Sequence, residues 1–348
     1  MYSKKLYNHL SAKENTLIID KSQDYRITLS FYKYVFIGNP LIFRNYLYVK
    51  LNNLGVLGRI FVANEGINAQ LSCPEKNLSL FKSEIEKITF LNGIPLNFAI
   101  EHHNKSFLKL KIKIRNKIVA DGITDKLFNP SLTGKHLNAI DFNKITSNKD
   151  TVIVDMRNHY ESEIGKFKGA ITPNVDTFRQ SLPLVEKKLS KLKKSKNFVM
   201  YCTGGIRCEK ASAYLKFKGF SNVYQLQGGI IEYTRQVRKL GIENKFIGKN
   251  FVFDDRRSEE ISTDIISKCH QCGGPCDTHT NCLNEACHLL FIQCDLCAEK
   301  FTGCCSHKCA EISSMPVTKQ KLLRRGKHNS NKIFKKGRSK HLLKNKYD

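Results

Sequence analysis

Cys202 stands in the segment of this chain best equipped for chemistry, Tyr201-Cys202-Thr203-Gly204-Gly205-Ile206-Arg207-Cys208. A thiol is a nucleophile only as its thiolate, and three features of the segment favour that form. Gly204 and Gly205 let the backbone turn its N–H groups inward, the helix expected after them points its positive end at the sulfur, and Arg207 adds a full cation. Cys208, six residues beyond Cys202, suits either a resolving thiol that closes a transient disulfide or a packing residue in the first turn of that helix.

These residues need a scaffold, and the flanking pattern supplies one. Phe198-Val199-Met200-Tyr201 has the short apolar character of a buried parallel strand, and Ala211, Ala213, Tyr214 and Leu215 suit a helix packed on it. Cys202 is therefore expected at the carboxyl end of a strand, facing a crevice. Residues 149–240 alternate short strands with helices and close with Asn222-Val223-Tyr224-Gln225-Leu226 and Gly228-Gly229, the pattern of a parallel α/β domain. Residues 121–148, polar and punctuated by Pro130 and Gly134, are expected to form a connector.

Upstream, residues 27–37, 59–63, 67–71 and 108–115 have strand character. Helical patterns fill 41–54 and the stretch from Pro74 to Ile88. The order β-α-β-β-α-β predicts a ferredoxin-like split βαβ domain over 1–120, with an open sheet face. On its expected last strand Lys109, Lys111, Lys113 and Arg115 share one face. They form either an RNA-facing ridge or the solvated outer face of an antiparallel strand.

Ten of the 13 cysteines fall between Cys269 and Cys309. They are Cys269, Cys272, Cys276, Cys282, Cys287, Cys294, Cys297, Cys304, Cys305 and Cys309, with His270, His279 and His288 as further nitrogen donors. Two C-x2-C knuckles, Cys269/Cys272 and Cys294/Cys297, are separated by 21 residues, close to a zinc-ribbon interval. In a reducing compartment such clustering favours metal over disulfides, zinc first and an iron–sulfur cluster second. Spacing alone does not tell which four cysteines share an ion.

The formal net charge is +27. A polyanion is the simplest partner for such a surface, with nucleic acid favoured over membrane, although Lys-rich composition throughout the chain accounts for part of the excess. From Pro316 onward there are 12 Lys and Arg, including Arg324, Arg325, Lys335 and Lys336, against the single acid Asp348. That composition predicts either a basic arm for a phosphate backbone or a passive solubilising tail. No apolar run of about 18 residues is present, and residues 1–10 lack the apolar core of a secretion signal, so a soluble cytoplasmic protein is expected. Neither Gly204-Gly205 nor Gly228-Gly229 has the context of a dinucleotide or flavin fingerprint.

Four residues separate Cys202 from Arg207. This loop resembles that of the rhodaneses, as do Val152-Ile153-Val154-Asp155-Met156-Arg157 and Gly165-Lys166-Phe167-Lys168-Gly169-Ala170, in which Lys166 replaces the usual histidine. The whole chain resembles the bacterial rhodanese-domain tRNA uridine(34) hydroxylases. The resemblance rests on Ser30-Phe31-Tyr32-Lys33-Tyr34, Asn64-Glu65-Gly66-Ile67-Asn68-Ala69-Gln70, Lys117-Ile118-Val119-Ala120-Asp121-Gly122, Asp155 to Glu161, the Cys202 loop, Gly228 to Tyr233 and Gly248 to Asp254. It implies an acylphosphatase-like domain over 1–120, a connector over 121–148, a rhodanese domain over 149–240, a cysteine-rich metal-binding module over 241–315 and a basic tail over 316–348. It further implies oxygen-dependent conversion of the wobble uridine in a tRNA anticodon loop to 5-hydroxyuridine, with Cys202 catalytic, molecular oxygen as cosubstrate and the electron donor unidentified. A sulfurtransferase carrying a persulfide on Cys202 and a noncatalytic RNA-binding adaptor are the rival functions.

Overall fold

The computed structural model describes residues 6–22, 24–125, 127–326 and 342. In chain order the first elements are α1 (Ala12–Ser22), β1 (Arg26–Tyr34), α2 (Pro40–Asn53), β2 (Leu57–Ala63), β3 (Gly66–Pro74), α3 (Leu78–Glu86), β4 (Asn97–Phe98) and β5 (Leu110–Ile114). Next come β6 (Lys135–Leu137), α4 (Ala139–Thr146), β7 (Thr151–Asp155), α5 (His159–Glu163), β8 (Gly165–Phe167), α6 (Phe178–Leu189), β9 (Asn197–Tyr201), α7 (Ile206–Phe217), β10 (Asn222–Leu226) and α8 (Gly229–Leu240). The last are β11 (Phe246–Phe251), β12 (Ser258–Glu260), β13 (His279–Asn281), β14 (Leu290–Ile292), α9 (Asp295–Lys300), α10 (His307–Ser314) and α11 (Val317–Arg324). No described helix is long and apolar enough to cross a membrane.

One compact unit comprises Met1–Thr151, Leu192–Glu243 and Val252–Arg257. Its amino-terminal sheet runs β4-β1-β3-β2-β5. Phe31, Ala69, Ile60 and Ile112 lie side by side across β1, β3, β2 and β5, and this apolar face packs on α2 and α3 through Leu47, Leu51, Phe81 and Ile85. Because side chains alternate across a strand, Ser30, Tyr32, Asn68, Gln70, Arg59, Phe61, Lys111 and Lys113 share the opposite face. Residues 108–115 do not close the split βαβ motif as expected. The closing strand is the two-residue β4 beside β1, and β5 joins the far edge, parallel to β2. Apolar–basic alternation fits a half-buried strand at either edge, and β4 is too short to show a period. The start of α1 follows the Ser-x-x-Glu rule: the Ser11 N–H donates to Glu14 Oε2 at 2.7 Å and the Glu14 N–H to Ser11 Oγ at 3.2 Å.

In the same unit β6, β10 and β9 run parallel, in that order, and Phe198 to Tyr201 are fully buried. β6 and α4 occupy the stretch expected to be a connector. A three-residue strand and an eight-residue helix are too brief to reveal a period. The second compact unit comprises Val152–Lys191, Asn244–Phe251 and Ser258–Asp348. Residues 149–240 are thus divided between the two units. In the second unit β11 pairs with β8 and β12, and β13 with β14. Arg157 and Asp155, both fully buried, pair at 2.7 Å, and Arg157 Nη2 also donates to the Gly165 carbonyl at 2.6 Å. This Asp-x-Arg motif therefore ties the end of β7 to the start of β8.

Candidate active site

Cys202 follows β9 directly, and the chain turns through Thr203, Gly204 and Gly205 into α7. Gly205 makes the turn at φ +97°, and its N–H donates to Cys202 Sγ at 3.2 Å. Burial opposes ionisation of Cys202. Donation from the Cys208 thiol, the Arg207 charge and the backbones of Arg207 and Cys208 outweigh it, and the Cys202 pKa falls from 9.0 to about 6. Cys208 moves the other way, well above 9.0, through its own burial and the adjacent Cys202. The pair is therefore a thiolate and a thiol near neutral pH. Arg207 is held by Thr203 Oγ1 at 3.4 Å and lies 5.8 Å from the centre of the Phe253 ring. The start of α8 clasps the loop from behind: the Ile230 and Ile231 N–H groups donate to the Cys202 and Thr203 carbonyls at 3.0 and 3.2 Å. A side chain on Gly229, whose φ is +66°, would come within 2.4 Å of the Cys202 carbonyl, and one on Gly228, whose φ is +64°, within 2.5 Å of Glu232 Cβ, which explains the Gly228-Gly229 pair.

Among the described residues Cys202 does not face the expected open crevice. Cys202 is fully buried, and the polar sheet face of the amino-terminal domain meets the loop. Tyr32 donates to Glu209 Oε1 at 2.8 Å, Tyr34 to the Ile206 carbonyl at 3.2 Å and Asn97 Nδ2 to the Gly204 carbonyl at 3.5 Å. Burial first, and then the Glu209 charge, raise the Tyr32 pKa, so this phenol remains a donor. Glu209 also pairs with His136 at 3.0 Å, a hydrogen bond that raises the His136 pKa.

Beneath the loop, Lys210 of α7 is 1% exposed and bonds Glu65 at 2.8 Å, Asp121 at 2.6 Å and the Val119 carbonyl at 3.1 Å. Burial works against the Asp121 charge, but donation from Lys117 and Lys210 keeps that carboxylate below its usual range. Glu65 additionally accepts the Ile118 N–H at 2.7 Å. Sequence reasoning assigned no role to Lys210, Tyr32, Tyr34, Glu209 or His136. The available signal was that the segments around Glu65 and Asp121 carried the family resemblance.

The cysteine-rich region holds two sulfur clusters, Cys269/Cys272/Cys294/Cys297 and Cys282/Cys287/Cys305/Cys309, and the sulfurs of each lie within 4.8 Å of one another. Each cluster can hold a metal ion. Of the ten expected ligands, Cys276 and Cys304 belong to neither: Cys304 Sγ sits 3.4 Å from Ser313 Oγ, and Cys276 is buried beside Ser267. No histidine joins either cluster among the described residues. His270 pairs with Glu163 at 2.8 Å, and the His279 ring packs on Phe251.

Comparison with known proteins matches three family descriptions to this architecture: the UPF0176 acylphosphatase like domain over residues 26–118, the rhodanese-like domain over 138–236 and the rhodanase C-terminal region over 247–310. A Photorhabdus laumondii protein named tRNA uridine(34) hydroxylase is 52% identical over 334 residues, covering 96% of this chain and 95% of its own. Proteins of the same name from Pectobacterium carotovorum and Leptospira interrogans are 51% and 50% identical, covering 97% and 90% of this chain and 95% and 85% of their own. The chain belongs to the tRNA uridine(34) hydroxylase family.

In this member of the tRNA uridine(34) hydroxylase family, the expected cationic ridge has an uneven character. Lys111 and Lys113 are exposed and lie beside Arg59 and Phe61 of β2. Burial, followed by repulsion from Lys109, Arg59 and Lys113, lowers the Lys111 pKa, as expected where cations crowd. Lys109 is partly engaged, donating to the Leu10 carbonyl at 3.3 Å, and the Arg115 guanidinium lies 5.5 Å from the centre of the Phe61 ring. The cations occupy the β2–β5 half of the same sheet face whose β1–β4 half meets the Cys202 loop. Arg324 ends α11 and pairs with Glu285, and Arg325 follows it. Lys335 and Lys336 lie outside the described residues.

Proposed function

We propose that this chain hydroxylates C5 of the wobble uridine in tRNA, using molecular oxygen and Cys202 as the nucleophile. What supports the reading is the 52% identity to a protein named tRNA uridine(34) hydroxylase, together with the buried Cys202, held by the Gly205 N–H in the β9–α7 loop inside the stretch that matches the rhodanese-like domain. Cys202 Sγ adds to C6 of uracil, and the electron pair displaced to C5 forms a bond to oxygen. Two electrons and two protons from an external reductant release the second oxygen atom as water. Loss of the C5 proton and departure of Cys202 from C6 then restore the ring. Arg207 and the loop N–H groups hold charge on sulfur at the start and end of this cycle.

The wobble base is single-stranded in its loop and can be splayed out without melting a duplex. Arg59, Lys111 and Lys113 provide backbone contacts for the anticodon arm beside the site, with Lys109 and Arg115 at the ends of the ridge and Arg324, Arg325, Lys335 and Lys336 contributing from the tail. The enzyme is an oxidoreductase of the cytoplasm in this reading. Four sulfurs within 4.8 Å leave room for one ion and none for a multi-iron cluster with its sulfides, and an all-thiolate tetrahedral set suits zinc, which would be the resident metal of the cysteine-rich region.

The test is mass spectrometry of nucleosides from U34-containing tRNA incubated with oxygen, reductant and protein, alongside Cys202→Ala. A gain of one oxygen atom with the wild type alone, at equal tRNA affinity, supports the assignment. Unchanged hydroxylation by Cys202→Ala refutes the nucleophile. No oxygen gain, with sulfur appearing once thiosulfate is supplied, replaces the hydroxylase with a sulfurtransferase.

A further inference from the structure

The eight clustered cysteines form pairs along the chain, and the pairs alternate between clusters. Cys269/Cys272 and Cys294/Cys297 build one site, and Cys282/Cys287 and Cys305/Cys309 build the other. The first half of each site is thus separated from its second half by a pair that belongs to its neighbour. We propose that this region binds two zinc ions per chain in interleaved, cross-braced tetrathiolate sites, with Cys276 and Cys304 outside both. The inference rests on the zinc reading above and adds the ligand partition and the count.

Distances favour single ions. A tetrahedral site with Zn–S of about 2.3 Å spaces its sulfurs about 3.8 Å apart. Cys272 and Cys294 are 3.6 Å apart, and Cys305 lies 3.7 Å from both Cys287 and Cys309. Both sites repeat one local device: the N–H of the third cysteine donates to the sulfur of the first, Cys294 to Cys269 at 3.4 Å and Cys305 to Cys282 at 3.5 Å. Such donors disperse thiolate charge and orient the ligands. Asn284 Nδ2 adds a similar bond to Cys309 Sγ at 3.4 Å.

The β13–β14 hairpin separates the two sites. Cys282 and Cys287 lie in the loop joining its strands, whereas Cys294 follows β14 at the other end, where the His270 N–H donates to the Ile292 carbonyl at 2.9 Å. Each ion therefore closes one end of a hairpin too short to be stable alone.

Metal analysis of the full-length chain purified without chelators, together with zinc X-ray absorption, tests the proposal. The expected results are two zinc ions per chain and four sulfurs at about 2.3 Å with no nitrogen in the shell. Cys297→Ser is expected to lower the count from two to one, and Cys276→Ser and Cys304→Ser to leave it at two. One ion in the wild type, a nitrogen ligand, or loss of an ion from either control variant overturns the partition. Two equivalents of iron in place of zinc would overturn the metal's identity and leave the pairing supported. None of these measurements depends on tRNA hydroxylation, so failure of that activity would be seen separately.

Discussion

Replacing Cys208 with alanine removes the donor that faces the Cys202 thiolate, and the consequence depends on pH in a calculable way. Cys202 ionises at about 6 despite complete burial, and the Cys208 thiol is the leading favourable contribution. A hydrogen bond to a charged group is worth about 1.5–3 kcal/mol, so its loss lowers the thiolate-to-thiol ratio about 10- to 150-fold. Near pH 6 the wild type is about half thiolate, and activity limited by that fraction falls about 5- to 75-fold in the variant. Near pH 9 both proteins are almost fully ionised and the difference vanishes. Single-turnover formation of 5-hydroxyuridine, followed from pH 5 to 9 with Cys208→Ser as a donor-retaining control, is the assay. A deficit of equal size at every pH refutes the electrostatic role and leaves Cys208 as a resolving thiol; superimposable profiles refute both roles.

Other residues give separate readouts. Lys210→Met leaves the buried Asp121 carboxylate to Lys117 and the Ile123 N–H, and Glu65 to the Ile118 N–H; breaking a fully buried pair costs about 3–5 kcal/mol and the remaining partners offset part of it, so a denaturation midpoint unchanged from wild type would contradict its anchoring role. Charge removal in Lys111→Ala/Lys113→Ala weakens tRNA binding and makes the slope of log K against log salt shallower by about 1.5, whereas an unchanged slope would place the phosphates elsewhere. Tyr32→Phe deletes the bond to Glu209 over the loop and should speed alkylation of Cys202 about tenfold or more, measured by peptide mass spectrometry; an unchanged rate would show that this contact does not restrict access.

The chemistry of the Cys202 loop was legible because it is local. A strand ending at Tyr201, two glycines and a following helix are consecutive in the chain, and short-range pattern reports on them. The clustering of the cysteines was equally plain, but their partition was not, since spacing cannot distinguish neighbouring pairs from alternating ones. Long-range placement was hidden for the same reason. The lysines of β5 fit an exposed edge wherever that edge lies, and the sequence offered no means of telling that Tyr32 and Asn97 meet the loop more than a hundred residues away. Lys210 was the least visible, because a lysine in a helix is ordinarily a solvated residue, and only the convergence of Glu65 and Asp121 makes its burial tolerable.

Burial and reactivity of Cys202 are reconciled by where its stabilising groups reside. Burial raises the pKa, while Cys208, Arg207 and the neighbouring backbone lower it. Those favourable groups belong to the loop and the first turn of α7, so they remain beside the sulfur when the cover is displaced. The cover supplies the contacts of Tyr32, Tyr34 and Asn97 and removes water. A base admitted here, as the proposed function requires, would relieve the one opposing influence and leave the favourable ones in place. Under the proposed mechanism the thiolate is therefore prepared before the substrate arrives, and alkylation of Cys202 should be faster with an anticodon-loop RNA present than without it; equal rates would refute displacement of this cover by the base.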